Sequence, residues 1–195
     1  MEPTAASVSP EVELYSPGEW KDTKGSGVPY ASMLGSWHVV ASTLPLWKGK
    51  KNVVISYTPI SGEPEHTFDD VVSYNKVSDA VGKTPSTVKG IDRLEAGTAG
   101  AWKWRGKGLL AIATSRWQLL GFTVHSNPGA QSEPEWVVTY FASTLFTPAG
   151  LDIYARTPRG LPDEHVDKLT KAIEALGGEV SQLVKDGGMF RISHD

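Results

Sequence analysis

Two stretches decide how this chain reads: Leu34-Gly35-Ser36-Trp37-His38-Val39-Val40-Ala41 and, some 120 residues further on, Gly150-Leu151-Asp152-Ile153-Tyr154-Ala155-Arg156-Thr157-Pro158. In the first, Gly-x-Trp opens a strand in which Trp37, Val39 and Ala41 share one face and Ser36, His38 and Val40 the other. The second is a strand that ends in Arg-Thr-Pro. It runs into a segment, Pro162 to Leu176, in which Val166, Leu169, Ile173 and Leu176 recur at helical spacing and form one apolar stripe. Pro162 suits the first helical position, and Asp163 and Glu164 favour the positive end of the helix dipole. Gly177-Gly178 supplies a stop.

Between these markers the chain is strand-like. Val53, Ile55 and Tyr57 share one face of a run, and Ser61-Gly62-Glu63-Pro64 then makes a turn. Further strands are expected at Phe68 to Tyr74, Thr87 to Leu94 and Ala101 to Arg105. Gly106-Lys107-Gly108 reads as a tight hairpin turn into Leu109 to Thr114. Trp117 to Val124, Trp136 to Ser143 and Leu151 to Thr157 complete the set. Val180 to Val184 and Met189 to Ile192 read as an added edge strand. Eight or nine short antiparallel strands make the fold all-β, a sandwich or a closed barrel, and a barrel of about eight strands holds one small ligand. Residues 1–30, rich in Pro and Gly, read as an irregular arm that Tyr15 and Trp20 pin to a barrel domain over 31–195.

Gly35 and Trp37 at the front, with Arg156 in the last strand and a helix after it, resemble the lipocalin family, above all its bacterial and apolipoprotein-D-like members. The resemblance spans roughly Gly35 to Val184. It implies an antiparallel calycin-type barrel with the helix packed outside. It also implies that Trp37 sits at the closed end with Arg156 across it as a structural signature, and that the N-terminal arm can close one end. The usual work of that fold is to enclose a small apolar molecule. The family's middle Thr-Asp-Tyr motif is missing; Val138-Thr139-Tyr140 comes nearest.

Composition narrows the chemistry. A chain of 195 residues buries a substantial core without metal or disulfides, and there is no cysteine to supply a thiolate or a zinc–thiolate site. The net charge of −3 gives no reason to expect nucleic acid as a partner, and no run is long enough for an integral membrane segment. Met1 to Pro10 lacks the basic and apolar regions of a signal peptide. Together with the missing cysteines this makes a cytoplasmic location the expectation, or a secreted one for a trimmed N-terminus. His38, His66, His125, His165 and His194 show no metal-ligand spacing, so no metal or cofactor is expected. His165 is expected on the solvent side of its helix, and His125 beside a loop at the barrel mouth, with no carboxylate partner to make it a base.

The seven tryptophans are the main clue to a site, because aromatic rings bring large contact area with directional faces. Trp102 and Trp104 share one strand face opposite Lys103 and Arg105, so they either line a cavity or fill the barrel. Trp117 lies in a strand with two apolar faces. Trp136, Val138 and Tyr140 make another row, and Tyr57 and Tyr140 carry hydroxyls that either enter the cavity or are satisfied in the core. Ligand contact is therefore expected from Trp102, Trp104, Trp117, Tyr57, Tyr140 and Trp136. The neighbours Asp69 and Asp70 point to opposite faces of a strand and cannot cooperate directly. The leading function is binding of a small hydrophobic ligand of lipid, terpenoid or polyketide type. The alternative is a lipocalin-like isomerase or cyclase that works by substrate positioning, which alone can lower a barrier by ~7–11 kcal/mol. A third reading is a protein-interaction module with an exposed Trp patch.

Overall fold

The structure is a computed structural model that describes residues 12–19, 30–64, 66–123 and 134–195. Eight antiparallel strands close into a barrel: β1 Gly35–Ser42, β2 Lys50–Pro59, β3 Thr67–Lys76, β4 Ser86–Leu94, β5 Ala101–Gly106, β6 Thr114–Thr123, β7 Trp136–Phe141 and β8 Gly150–Ala155. Each pairs with its neighbour in sequence, and β1 closes the sheet by pairing with β8 on one edge and β2 on the other. Closure leaves no bare edge among these strands.

Period-two alternation divides the side chains between two cores. Trp37, Val39, Val53, Ile55, Tyr57, Phe68, Trp102, Trp117, Leu119, Val137 and Tyr154 fill the interior. Val40, Leu120, Trp136, Val138, Leu151, Ile153 and Ala155 face outward and are covered by helices. Register shifts between Val39 and Ala41 and between Leu119 and Gly121 mark bulges where the alternation slips by one residue. The β6 bulge resolves the face with apolar residues on both sides: Trp117, Leu119 and then Phe122 belong to the inner core, and Leu120 to the outer one.

The helix α2, Asp163–Ala175, packs outside the barrel through the buried Val166, Leu169 and Ile173. The expected strand over Val180 to Val184 is instead part of a second helix, α3, Gly178–Gly187, which buries Val180 and Val184 in the outer core. Their spacing of four suits one helical face as well as a strand, and Gly177 and Gly178, both at positive φ, turn the chain from α2 into α3. The segment expected as a strand from Leu109 to Thr114 is also different. It is a loop with a short 3-10 turn over Gly108–Leu110, and β6 begins only at Thr114.

The C-terminus repairs the sheet where β1 and β2 diverge. Asn52 stands at φ 54° beside a register shift in β2, and the short strand β9, Phe190–Arg191, pairs with Ala41 and Ser42 of β1. The Asn52 amide donates to the Ser193 carbonyl at 2.8 Å and the Ile192 amide to the Val40 carbonyl at 3.0 Å.

The short helix α1, Tyr30–Met33, lies under the end at which β1 begins. The Trp37 indole donates to the Met33 carbonyl at 2.9 Å. The Arg156 guanidinium lies 3.6 Å from the centroid of the Trp37 ring. It also donates to the carbonyls of Ser32, Leu34 and Ser36 and pairs with Glu135 at 3.2 Å. A planar, permanently charged fork suits this stack-and-clamp geometry, which a lysine cannot reproduce. Of the arm, residues 12–19 lie along the outside of β6: the Tyr15 amide donates to the Leu120 carbonyl at 2.7 Å, and Leu14 sits where a Cβ on Gly121 would be. Trp20, with the remaining residues 1–11 and 21–29 of the expected arm, lies outside the described residues, as does His125.

Candidate functional site

The other end of the barrel is open. A cavity of about 310 Å³ descends from it, walled by Ile55, Val72, Val88 and Phe141. Its deep part is formed by Tyr57, Asp70, Trp104, Trp117 and Tyr154, and its mouth by Leu44, Leu46, Trp47, Lys50, Tyr74 and Phe146. This is the small end of the range for ligand sites, roughly 300–1,000 Å³, and its mostly apolar wall with a few polar groups is the usual composition.

Three of the six residues expected at the ligand, Tyr57, Trp104 and Trp117, line this cavity. Trp102 does not. It lies beneath the cavity in the packed interior, stacked on Trp117 with centroids 4.5 Å apart and planes 14° from parallel, and its indole donates to the His66 carbonyl at 3.1 Å. Trp136 and Tyr140 are outside the barrel: Trp136 is buried in the outer core and the Tyr140 hydroxyl donates to Glu179 of α3 at 2.8 Å. They share a face with Val138, but that face meets the helices, and Val137 and Thr139 between them point inward. His165, expected on the solvent side of its helix, is half-buried with its ring centroid 6.3 Å from that of Trp136.

The interior also holds three carboxyl groups, of which sequence reading weighed only Asp70, as the neighbour of Asp69, and did not single out Asp92 or Asp152. Asp70 on β3 and Asp92 on β4 are diagonal neighbours on the inner face, because Asp70 pairs with Gly90 and Asp92 with Phe68. Asp152 lies on β8, directly opposite Ser42 of β1. Asp92 accepts from the Trp117 indole at 2.8 Å, and Asp152 from the Trp47 indole at 3.2 Å. One oxygen of each carboxyl, and the Tyr154 hydroxyl, has no hydrogen-bond partner among the described residues. The clue available in the sequence was parity: Asp70 alternates with Phe68 and Val72, so it must share their inward face.

Burial governs the charge of these groups. It raises Asp92 to about 7, against the pull of the Trp117 N–H and of Asp70. It raises Asp152 to about 7, against the Ser42 and Trp47 donors. Asp70 is pushed well above the usual carboxylate range, first by burial and then by the Asp92 charge beside it, with the Trp104 indole N–H pulling the other way. A neutral carboxyl donates as well as accepts, so the cavity floor offers both functions to one ligand group. Gly90 makes this arrangement possible. A Cβ at Gly90 would lie 2.1 Å from the Trp104 ring nitrogen, so only a bare backbone lets that indole lie across β4 towards Asp70. At the mouth Lys50 stands 4.2 Å from the Tyr74 ring centroid and 5.0 Å from that of Trp47.

Barrel, outer helix, closed end and internal cavity together define a lipocalin-type calycin fold. Among solved structures, the chain is similar to apocrustacyanin C2 at 15% identity and a TM-score of 0.58, over 95% of this chain and 90% of that one. It is similar to apocrustacyanin C1 at 15% identity and a TM-score of 0.54, over 84% and 78%. It is also similar to insecticyanin from the tobacco hornworm Manduca sexta at 14% identity and a TM-score of 0.53, over 95% and 85%. No protein-family model matches the chain. A search of curated proteins finds no match either.

Proposed function

We propose that this protein binds one compact hydrophobic molecule in the open half of the barrel, of terpenoid or polyketide type rather than a long acyl chain. The observation that carries this reading is the cavity itself: about 310 Å³, walled by aliphatic and aromatic side chains, with polar groups gathered at its floor. Trp104 and Trp117 grip the apolar body. Asp70, carrying its proton, donates to a carbonyl or hydroxyl on the ligand, because an acceptor there satisfies a buried carboxyl of which one oxygen has no partner among the described residues. Mass spectrometry of small molecules co-purifying with the protein identifies the ligand class. Titration of that molecule should quench or shift tryptophan emission. Trp104→Ala should weaken binding ten-fold or more, equivalent to ~1.4 kcal/mol; unchanged affinity would remove the cavity from consideration as the binding site.

A second reading, an isomerase or cyclase acting on a hydrophobic intermediate, is supported by the carboxyl pair. Asp70 lines the cavity, one of its oxygens has no partner among the described residues, and Asp92 stands beside it on the next strand. Two buried carboxyls that share a proton can donate it at one atom of a substrate and accept another elsewhere, which leaves the substrate isomerised without any oxidant. Asp70→Asn separates the two readings. A carrier should keep its ligand with an altered affinity, whereas an enzyme should bind its substrate and lose turnover by ~10²–10⁴-fold.

A further inference from the structure

Each of the seven exposed large hydrophobic side chains among the described residues lies at one end of the barrel. Val77 and Val81 are on the β3–β4 loop, Leu109, Leu110 and Ile112 on the β5–β6 loop, and Leu145 and Phe146 on the β7–β8 loop. These loops surround the mouth of the cavity, and Phe146 is also part of its rim. Exposed apolar side chains scattered over a surface are ordinary; a ring of them around one opening marks a contact site.

The loops hold these side chains outward by their own hydrogen bonds. Arg105 Nε donates to the Ala111 carbonyl at 3.0 Å, the Gly106 amide to the Ala113 carbonyl at 3.1 Å and the Ala113 amide to the Leu110 carbonyl at 2.8 Å. In that turn Leu109 and Ile112 are 102% and 91% exposed. At the neighbouring loop the Thr144 hydroxyl accepts from the amides of Phe146 and Thr147 at 3.1 and 3.0 Å, and Leu145 and Phe146 are 96% and 84% exposed.

Charge at this end runs against that of the whole chain. The four loops at the mouth, residues 43–49, 77–85, 107–113 and 142–149, carry Lys48, Lys83 and Lys107 and a single acid, Asp79, which Lys83 pairs at 2.6 Å, while Lys107 pairs with Asp69 of β3. Lys50 and Lys76 stand at the strand ends beside them. At the opposite end Glu63, Glu95 and Glu135 are each paired with an arginine, Arg93, Arg116 and Arg156, and the chain as a whole has a net charge of −3. Apolar tips backed by lysines on long flexible stems match a bilayer with anionic headgroups: the tips enter the acyl boundary while the ammonium groups remain at headgroup level.

We infer that the open end of the barrel docks on the surface of an anionic lipid bilayer, mouth down, so that the cavity opens onto the membrane. The inference is independent of which molecule fills the cavity. Flotation of the full chain with phosphatidylcholine vesicles, with and without phosphatidylserine, tests it. The protein should float with the phosphatidylserine vesicles, less so with phosphatidylcholine alone, and less at high salt. The variant Leu109→Ser, Ile112→Ser, Leu145→Ser, Phe146→Ser should lose partitioning by ten-fold or more. Its thermal melting should be unchanged, because none of the four side chains is buried. Absence of the protein from the floated fraction, or equal flotation of the variant, overturns the inference. A dimer in sedimentation that the same four substitutions dissociate, without flotation, would assign the collar to a second copy of this chain and overturn it too.

Discussion

Trp102→Ala is expected to lower the unfolding free energy by about 3–5 kcal/mol, the range for removing a large aromatic side chain from a packed interior. Trp102 is completely buried, stacked on Trp117, and has the edge of Tyr30 against it at 5.9 Å and Phe68 at 6.1 Å. Alanine removes the indole from all three rings at once and leaves the His66 carbonyl without its donor. Small domains hold only about 5–15 kcal/mol in total, so the variant should sit close to its unfolding threshold. Urea denaturation should show a lower midpoint at an unchanged m-value. Trp102→Phe should lose much less, because the stack survives. A loss under ~1 kcal/mol for the alanine variant would mean that the interior collapses around the gap and that Trp102 is not the keystone between cavity floor and closed end.

The same residue shows what the sequence could and could not reveal. Alternation placed Trp102 and Trp104 together on the inner face, and they are there. How far along the barrel axis each one sits was not legible, since it depends on the shear that closure imposes, and only Trp104 reaches the cavity. Trp136 and Tyr140 misled for a related reason. In a barrel wrapped by helices, a strand such as β7 is buried on both faces, so apolar character no longer distinguishes inside from outside. The helix over Asp163–Ala175 was legible because its stripe, its acidic first turn and its glycine stop agree. Val180 to Val184 carried no such agreement between levels, and Leu109 to Ile112 looked like a strand because exposed apolar loops break the pattern that sequence reading relies on. The carboxyls were readable only by following parity across strands, where a buried Asp contradicts the expectation for its residue type.

Those carboxyls should make the fold more stable in mild acid than above neutrality, which is the reverse of the common pattern. In the folded chain Asp92 and Asp152 are raised from 3.8 to about 7, and Asp70 is raised well above 3.8. Between about pH 4 and pH 7 the folded state therefore binds more protons than the unfolded state, and the unfolding free energy falls as pH rises through that window. At 1.36 kcal/mol per pH unit, each of Asp92 and Asp152 can withdraw up to roughly 4 kcal/mol once ionised. His38 acts in the opposite sense. Burial and the neighbouring His194 lower its pKa, so the unfolded chain takes up that proton first and stability falls as pH drops through about 6.5. His38 is less buried than the carboxyls and is a single group, so the carboxyls should dominate. Urea midpoints measured at pH 5 and pH 8 should be higher at pH 5. Asp92→Asn, which keeps an oxygen for the Trp117 indole, and Asp152→Asn, which keeps one for Trp47, should each reduce that difference and raise stability at pH 8. A midpoint that rises from pH 5 to pH 8 would falsify the assignment of these groups as protonated core residues, and a slope that survives both substitutions would assign it to Asp70 instead of Asp92 and Asp152. The rising midpoint would also leave Asp70 ionised at the floor of the cavity, and a site with a carboxylate there selects an amine instead of a carbonyl or hydroxyl.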